Sequence, residues 1–295
     1  MAHRLIDLSV PLRSDIASDP PDMLPQIEYV DHHQSAPGIA AYFGVRVDQL
    51  PEGQYAAIER CAISSHNGTH VDAPYHYFSR MDEAVTPGGV PSMRIDEVPL
   101  DWLYQPGVKL DFRHLPDGHV VQPAEIEAEL ARIGHTLSPL EIVVVNTRAG
   151  TRYGEADYVD SGCGMGRAAT LWLTERGIRV VGTDAWSWDA PFSHTRRRVQ
   201  ETGDAGLIWE GHRVGRDTRL LPDREDAQPR SAAAERVPGL RLPRQAAPRL
   251  GWVDPRGGDP SGLTGDLSQR QFVRWMNCCA SVVSIFCGAA TTNGV

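Results

Sequence analysis

The stretches "PAEIEAELARIG" (123–134) and "EIVVVNT" (141–147) follow each other closely along the chain and decide its fold class. The first has proline in its opening turn, early acidic residues and a closing glycine, which are typical of a helix. The second is a short apolar run rich in β-branched residues, which is typical of a strand buried on both faces. A helix that leads into such a strand indicates an α/β unit.

The same alternation extends in both directions from this pair. Further strands are predicted at "RLIDLSV" (4–10), "GVKLDF" (107–112) and "IRVVGTD" (178–184), and a second helix at "GRAATLWLTERG" (166–177). Residues 148–166 hold too many glycines and polar residues for either element, so we expect a loop beyond a strand end. Loops in that position line the active sites of α/β proteins. The sequence therefore predicts an α/β fold.

The composition excludes several classes of protein. The chain has 295 residues, of which 41% are hydrophobic and 23% charged, as expected of a globular protein. A formal charge of -9 is the opposite of the basic surface of a nucleic-acid binder. Apolar runs are too short to span a membrane, the start lacks a signal-peptide layout, and five cysteines form no disulfide framework. We therefore expect a cytoplasmic protein without nucleic-acid or membrane partners.

The stretch "SSHNGTHVDAPYHYF" (64–78) carries the candidate chemistry. It brings together His66, His70, Asp72 and His76 within eleven residues. In an extended segment His70 and Asp72 point the same way, and a turn at the Asn-Gly pair lets His66 join them. Two imidazoles and a carboxylate form a ligand set that suits catalytic Zn²⁺ or Mn²⁺, which leaves His76 to move a proton. The alternative interpretation is a polar loop that happens to be rich in histidine.

The segment "HNGTHVDAPYH" (66–76) resembles the H-x-G-T-H-x-D-x-P-x-H motif of the cyclase family of metal-dependent hydrolases, which includes bacterial kynurenine formamidase and isatin hydrolase. The resemblance extends from "LIDLSVPL" (5–12) to about Thr218 and includes "VVGTDAWSWDAPF" (180–192). It implies a swivelling β/β/α fold and a homodimer or homotetramer. It also implies that the first two histidines and the aspartate of the motif bind metal and that the last histidine, His76, is the acid/base.

The same resemblance implies an activity. A divalent metal ion, Zn²⁺ or Mn²⁺, would activate water to cleave an amide or lactone bond of a small aromatic molecule. Arylformamidase chemistry is the first expectation, and ring opening of isatin or a dienelactone is the alternative within the class. Two alternatives lie outside it: a metal-binding protein that is catalytically impaired, and a structural protein without metal.

Weaker candidates lie further along the chain. His212 resembles a downstream histidine of the family that contributes to a second metal, although a solvated histidine is the plainer interpretation. Asp184 is a candidate substrate-pocket residue or a strand-end cap. Three aromatic residues are candidates for the wall of an aromatic substrate site, or for ordinary core packing: Trp186, Trp188 and Phe192.

Residues 219–295 differ in character from residues 1–218, which we predict to form the hydrolase domain. Residues 213–260 hold ten arginines and seven prolines, a spacing that leaves no room for a long helix or strand. The resemblance expects a glutamate twelve residues beyond His212, and the chain has Arg224 there. We predict an aberrant or disordered tail, which leaves an edge of the sheet uncovered, with the apolar segment 270–289 forming a helix or adhering to another surface.

A frameshift near Thr218 is our hypothesis for this tail. Codons that the sequence permits from Arg219, read one base later, give "GYCQIEKMHNLEAL", which places a glutamate at position 224. The same shift in residues 237–259 gives "FRVCVFPVKLRPGSAGSTRVAV", which alternates like a pair of strands. Sequencing the gene beside those of close relatives is expected to reveal an insertion or deletion near this codon, and an uninterrupted frame would reject the hypothesis.

Overall fold

The structure is a computed structural model that describes residues 7–217 and 283–286. Its strands, in chain order, are β1 (Gln26–Val30), β2 (Ile58–Ala62), β3 (Arg80–Met81), β4 (Val90–Pro91), β5 (Gly107–Asp111), β6 (Val120–Val121), β7 (Ile142–Asn146), β8 (Gly164–Met165), β9 (Val180–Thr183) and β10 (Val283–Phe286). Its α-helices are α1 (His32–Phe43), α2 (Pro74–Tyr77), α3 (Leu100–Leu103), α4 (Pro123–Ile133), α5 (Arg167–Glu175), α6 (Phe192–Thr202) and α7 (Val214–Asp217).

A four-stranded parallel sheet organises the described chain. Its strand order is β10-β9-β7-β5. Strands β1 and β2 pair antiparallel, as do β3 and β4, whereas β6 and β8 pair in parallel. The α/β fold predicted from the alternation of elements is thereby confirmed. None of the described helices has the length and apolar character needed to cross a lipid bilayer.

The core lies where helices α4 and α5 cover the sheet. The side chain of Val143 on β7 is fully buried. Ile126 on α4 and Leu173 on α5 are the buried residues of the helix faces that pack toward the core. Burying side chains of this size contributes about 1.5–3 kcal/mol each. Helix α4 ends at Gly134, whose left-handed backbone lets its N–H reach the carbonyl oxygen of Leu130. The apolar residues whose spacing predicts these elements are thus the residues that form the core.

Two predictions about the chain ends need correction. The structure assigns no strand to residues 7–10 of the predicted strand 4–10, and residues 4–6 lie outside the described part. The tail predicted as residues 219–295 also lies outside it, except for β10, which pairs with β9 and covers the edge expected to be open. Four residues of the segment 270–289 are therefore a strand rather than a helix, in keeping with their β-branched and aromatic composition.

Gly164 allows two segments to pass each other closely. A Cβ built on it would lie 1.9 Å from the backbone nitrogen of Ala190 and 2.2 Å from the carbonyl carbon of Asp189. Backbone atoms cannot turn aside as a flexible side chain can, so only glycine fits here. The contact fixes the loop after β9, which carries residues of the site described below.

We expect Gly164→Ala to lower the free energy of unfolding by more than 2 kcal/mol, since the added methyl group forces the backbone of β8 away from that loop. Gly38→Ala is the matched control, because no atom lies within 4 Å of a Cβ placed there on helix α1. It should be neutral or stabilise by about 0.5–1 kcal/mol. Urea denaturation of both variants tests this, and equal midpoints would contradict the close approach.

Candidate metal centre

A tight turn places His66 beside the residues that follow it. The N–H of Ser64 donates to Oδ1 of Asn67 (2.8 Å), and the N–H of Asn67 donates to the carbonyl of Ser64 (3.2 Å). Gly68 then takes a φ of +67°, a left-handed conformation that costs glycine little. The hydrogen-bonded turn is centred on Ser65 and His66, one step before the predicted Asn-Gly pair, and the left-handed Gly68 follows it; together they bring His66 to face His70.

The imidazoles and the carboxylate converge on one point. Nδ1 of His66 lies 2.7 Å from Oδ1 of Asp72 and 3.4 Å from Nε2 of His70, and that nitrogen lies 3.5 Å from Oδ2 of Asp72. His76, on helix α2, stacks on His66 with ring centroids 4.0 Å apart. One ligand atom from each of His66, Asp72 and His76 lies within 4.8 Å of the others. Two three-residue sets, with His70 or with His76, are thus in place for one divalent ion.

The outer contacts of His70 prepare it for a ligand role. Its Nδ1 lies 2.9 Å from the carbonyl oxygen of Gly68, a pure acceptor. Nδ1 must therefore carry a proton, and Nε2 is the ring nitrogen that faces His66 and Asp72. A possible metal site made of histidine and aspartate side chains is present, and its nitrogen and oxygen donors are those that zinc and manganese accept.

The buried carboxylate sets the electrostatics of this cluster. Asp72 is 3% exposed, and burial alone would raise its pKa. Hydrogen bonds from His66 and His70 outweigh that effect and hold the pKa of Asp72 well below its usual range. The same hydrogen bond raises the pKa of His66 from its ordinary 6.5, against the effect of burial. Both shifts favour an ion pair between His66 and Asp72 when no metal is bound.

His76 is shifted the other way. Burial is the main cause, and the neighbouring histidines add to it, so the pKa of His76 falls to about 4 despite the charge of Asp72. His76 is consequently neutral at physiological pH and able to accept a proton. It contacts the rings of Tyr77 and Trp209, with centroids 5.4 and 5.3 Å away.

His212 lies in the same aromatic cluster but outside these three-residue sets. Its ring contacts Tyr77 and Trp209, each of which also contacts His76. It is 4% exposed, so it is not a solvated histidine. Nδ1 forms a very short contact with Oδ2 of Asp189, and the backbone N–H of His212 donates to the same oxygen (3.1 Å). Its predicted role at a second metal stays a prediction.

A narrow cleft opens beside the cluster at the carboxyl ends of β7 and β9. It is lined by Val10, Ser18, Asp19, His66, Gly68, His70, Tyr153, Tyr158 and Trp186. The cavity volume is about 20 Å³, roughly enough for one water molecule. This position, beyond the ends of parallel strands, is where open α/β sheets bind their ligands.

The other predicted pocket residues lie elsewhere. Trp188 is 1% exposed in the core, where its Nε1 donates to Oγ1 of Thr170 (2.9 Å), so it packs the fold rather than the cleft. Phe192 contacts Trp186 edge-on from outside the lining. Asp184 accepts hydrogen bonds from Asn146 and the N–H of Thr147, and burial raises its pKa to about 6. It ties two strand ends together. Of the four, only Trp186 lines the cleft.

Several residues of the site escaped sequence reasoning. Asp189 holds His212 from 23 positions away, and Tyr153 and Tyr158 line the cleft from the loop after β7. Asp19 lies in a proline-rich turn with no apolar pattern around it. Only the glycine-rich composition of the loop gave any signal. Distant pairings of this kind leave no mark in local spacing.

Comparison of the sequence with models of known protein families identifies the family of this chain. Residues 6–190 match the model of the family described as "Putative cyclase". That match covers more than half of the chain, so the chain belongs to the cyclase family. The family predicted from the histidine motif is confirmed.

Solved structures resemble this chain in fold. Isatin hydrolase A from Ralstonia solanacearum has a TM-score of 0.50 and 18% identity over 72% of this chain and 76% of its own. Isatin hydrolase A from Labrenzia aggregata, bound to benzyl benzoate, has a TM-score of 0.48 and 23% identity over 71% and 77%. A predicted metal-dependent hydrolase from Bacillus stearothermophilus has a TM-score of 0.42 and 19% identity over 73% and 80%. At sequence identities below 25%, a likeness to a solved structure is a likeness of fold and not of activity; of these three, the first reaches a TM-score of 0.50.

We expect Zn²⁺ binding to weaken as the pH falls from 7.5 to 5.5. The raised pKa of His66 means that its proton persists to higher pH, and the metal must displace that proton before the imidazole can coordinate. Calorimetric titrations in buffers of different ionisation enthalpy measure both the affinity and the proton released. His32→Ala, which removes an exposed histidine on α1, should behave as the parent. Equal affinity across this range would contradict the ion pair.

Proposed function

We propose that the protein is a metal-dependent hydrolase that cleaves an amide or lactone bond of a small, aromatic molecule. The observation that carries the proposal is the convergence of His66, His70 and Asp72 beside a neutral His76, at the edge of a cleft. Isatin hydrolase A from Ralstonia solanacearum has a similar fold, and hydrolysis of isatin belongs to the reaction class proposed here. Zn²⁺ and Mn²⁺ are the proposed metals.

The role of each residue in the proposed reaction follows from the chemistry of its side chain. His66, His70 and Asp72 would hold the ion, which supplies Lewis acidity and lowers the pKa of a water molecule. His76 accepts the proton from the attacking water because its imidazole is neutral, and then passes it to the leaving nitrogen or oxygen. Tyr153, Tyr158 and Trp186 form aromatic walls for the substrate. An aromatic ring enters only when these walls separate, since the cavity holds little more than one water.

The first choice of substrate is an aryl formamide, with isatin and a dienelactone as alternatives of the same class. All three present a carbonyl group next to a flat, conjugated system, which suits aromatic walls. A homodimer or homotetramer remains part of the proposal. Tyr42 and Phe43 on α1 are 81% and 67% exposed, which is apolar surface that a second copy of the chain could cover.

A second candidate is a metal-binding protein without full activity. Position 224, where the motif of the family leads us to expect glutamate, is arginine. A lost ligand for a second ion would leave the first ion bound and the reaction slow. This candidate predicts metal without turnover, whereas the hydrolase predicts both.

Elemental analysis of the purified protein together with a hydrolysis panel of formanilide, isatin and a dienelactone tests the proposal. We expect a bound divalent metal and turnover of at least one substrate. His70→Ala should lose most of the metal, and His76→Gln should lower kcat by about 10²–10⁴-fold. His32→Ala is the control for removing a histidine.

Two outcomes would contradict the proposal in whole or in part. Metal-free protein with no turnover after incubation with Zn²⁺ and Mn²⁺ would exclude the hydrolase. Full activity in His76→Gln would leave the reaction class standing but remove His76 from it.

A further inference from the structure

The cleft beside the metal centre carries one charge of its own. Apart from His66 and His70, the ionisable groups of its lining are two tyrosines and the carboxylate of Asp19, and no arginine or lysine of the described residues lines it. Burial, followed by the charge of Asp19, raises the pKa of Tyr153 to about 12, so that phenol stays neutral. Asp19 is therefore the acidic side chain in the lining of this cleft.

Neutral donors hold this carboxylate in place. The hydroxyl of Ser18 donates to Oδ2 (2.7 Å), Nδ2 of Asn67 donates to the same oxygen (3.0 Å), and Nε1 of Trp186 donates to Oδ1 (3.2 Å). An acceptor-only group bound by three donors is satisfied as the anion. Asp19 is 8% exposed, and no ion pair with a described cation neutralises it.

The charge of Asp19 acts on the centre next to it. It is the smallest contributor to the raised pKa of His66, after the hydrogen bond and the charge of Asp72, with burial opposing. The charge of Asp19 acts on His66 without a direct hydrogen bond, because the residue of the histidine turn that bonds to Asp19 is Asn67. The carboxylate shares the lining of the cleft with His66 and His70, and among the described contacts it accepts only one hydrogen bond on Oδ1, which leaves capacity for another.

We propose that Asp19 determines the specificity of the cleft: its carboxylate excludes anionic substrates and favours neutral aromatic molecules that carry an N–H or O–H donor. This inference rests on the proposed function, since it names the substrate class for that site. A divalent ion together with Asp72 leaves one positive charge, and Asp19 cancels it. A neutral ligand gains a hydrogen-bond acceptor, whereas a carboxylate meets a like charge in a site shielded from water.

The test uses benzoate and benzamide, which have nearly the same shape, so the cost of opening the narrow cleft cancels between them. Their affinities are measured by calorimetry for the parent, for Asp19→Asn and for Asp22→Asn, with and without Zn²⁺. Asp22 is an exposed aspartate three residues away, and its substitution removes the same charge outside the cleft. We expect Asp19→Asn to bind benzoate at least tenfold more tightly and benzamide within about twofold of the parent. Asp22→Asn should change neither.

A purely structural role for Asp19 gives a different result. Affinities that weaken together in Asp19→Asn, an unchanged affinity for benzoate, or no benzamide binding to any variant would overturn the proposal. If thermal unfolding shows that Asp19→Asn does not fold, Val10→Lys replaces it, because Val10 lines the same cleft and an ammonium group there would offset the carboxylate. That variant should also bind benzoate at least tenfold more tightly.

The two proposals fail separately. Absence of bound metal and of turnover would remove the hydrolase function, while the ratio of benzoate to benzamide binding can still be read on the metal-free protein. Conversely, an active hydrolase whose ratio does not respond at position 19 would keep its function and lose this determinant.

Discussion

The buried carboxylate of Asp72 is the constraint on which the rest of the site depends. Moving an ionised carboxylate out of water costs several kcal/mol, and the structure offsets that cost with imidazoles rather than with arginine or lysine. Imidazoles can release their protons to a metal, whereas a guanidinium cannot. A site stabilised in this way favours an ion pair when it is empty, and its imidazoles can exchange their protons for a divalent cation. A structural salt bridge would have no such exchange available.

The fold brings the turn that carries this carboxylate to the carboxyl ends of the central strands. Strands β7 and β9 end side by side, and Asp184 ties their ends together through Asn146 and Thr147. The loops that leave these ends supply the aromatic walls of the cleft and the Asp189 that holds His212. The histidine turn arrives at this edge from a separate part of the chain. Convergence of three segments at one sheet edge allows distant residues to form one pocket, and the close passage at Gly164 fixes one of those segments.

Much of this could be predicted from the sequence because it is local. The strands β5, β7 and β9 and the helices α4 and α5 follow from apolar periodicity and from proline and glycine at the element ends. The convergence at His66 follows from a motif eleven residues long. What failed was long-range: nothing in the spacing tells that Trp188 enters the core while Trp186, two residues before it, lines the cleft. Alternation along an extended segment predicts that they share a side, and the turn after β9 breaks that rule.

Two buried carboxylates near the site differ in pKa because their hydrogen-bond partners differ. Burial raises the pKa of Asp184 to about 6, because backbone and side-chain donors only partly compensate it. Asp72 has imidazole partners that can become cations, and its pKa is lowered in spite of burial. Asp19 lines the cleft, where neutral donors hold its carboxylate. A divalent cation suits a site that holds Asp72 and Asp19, because its two positive charges balance the two carboxylates.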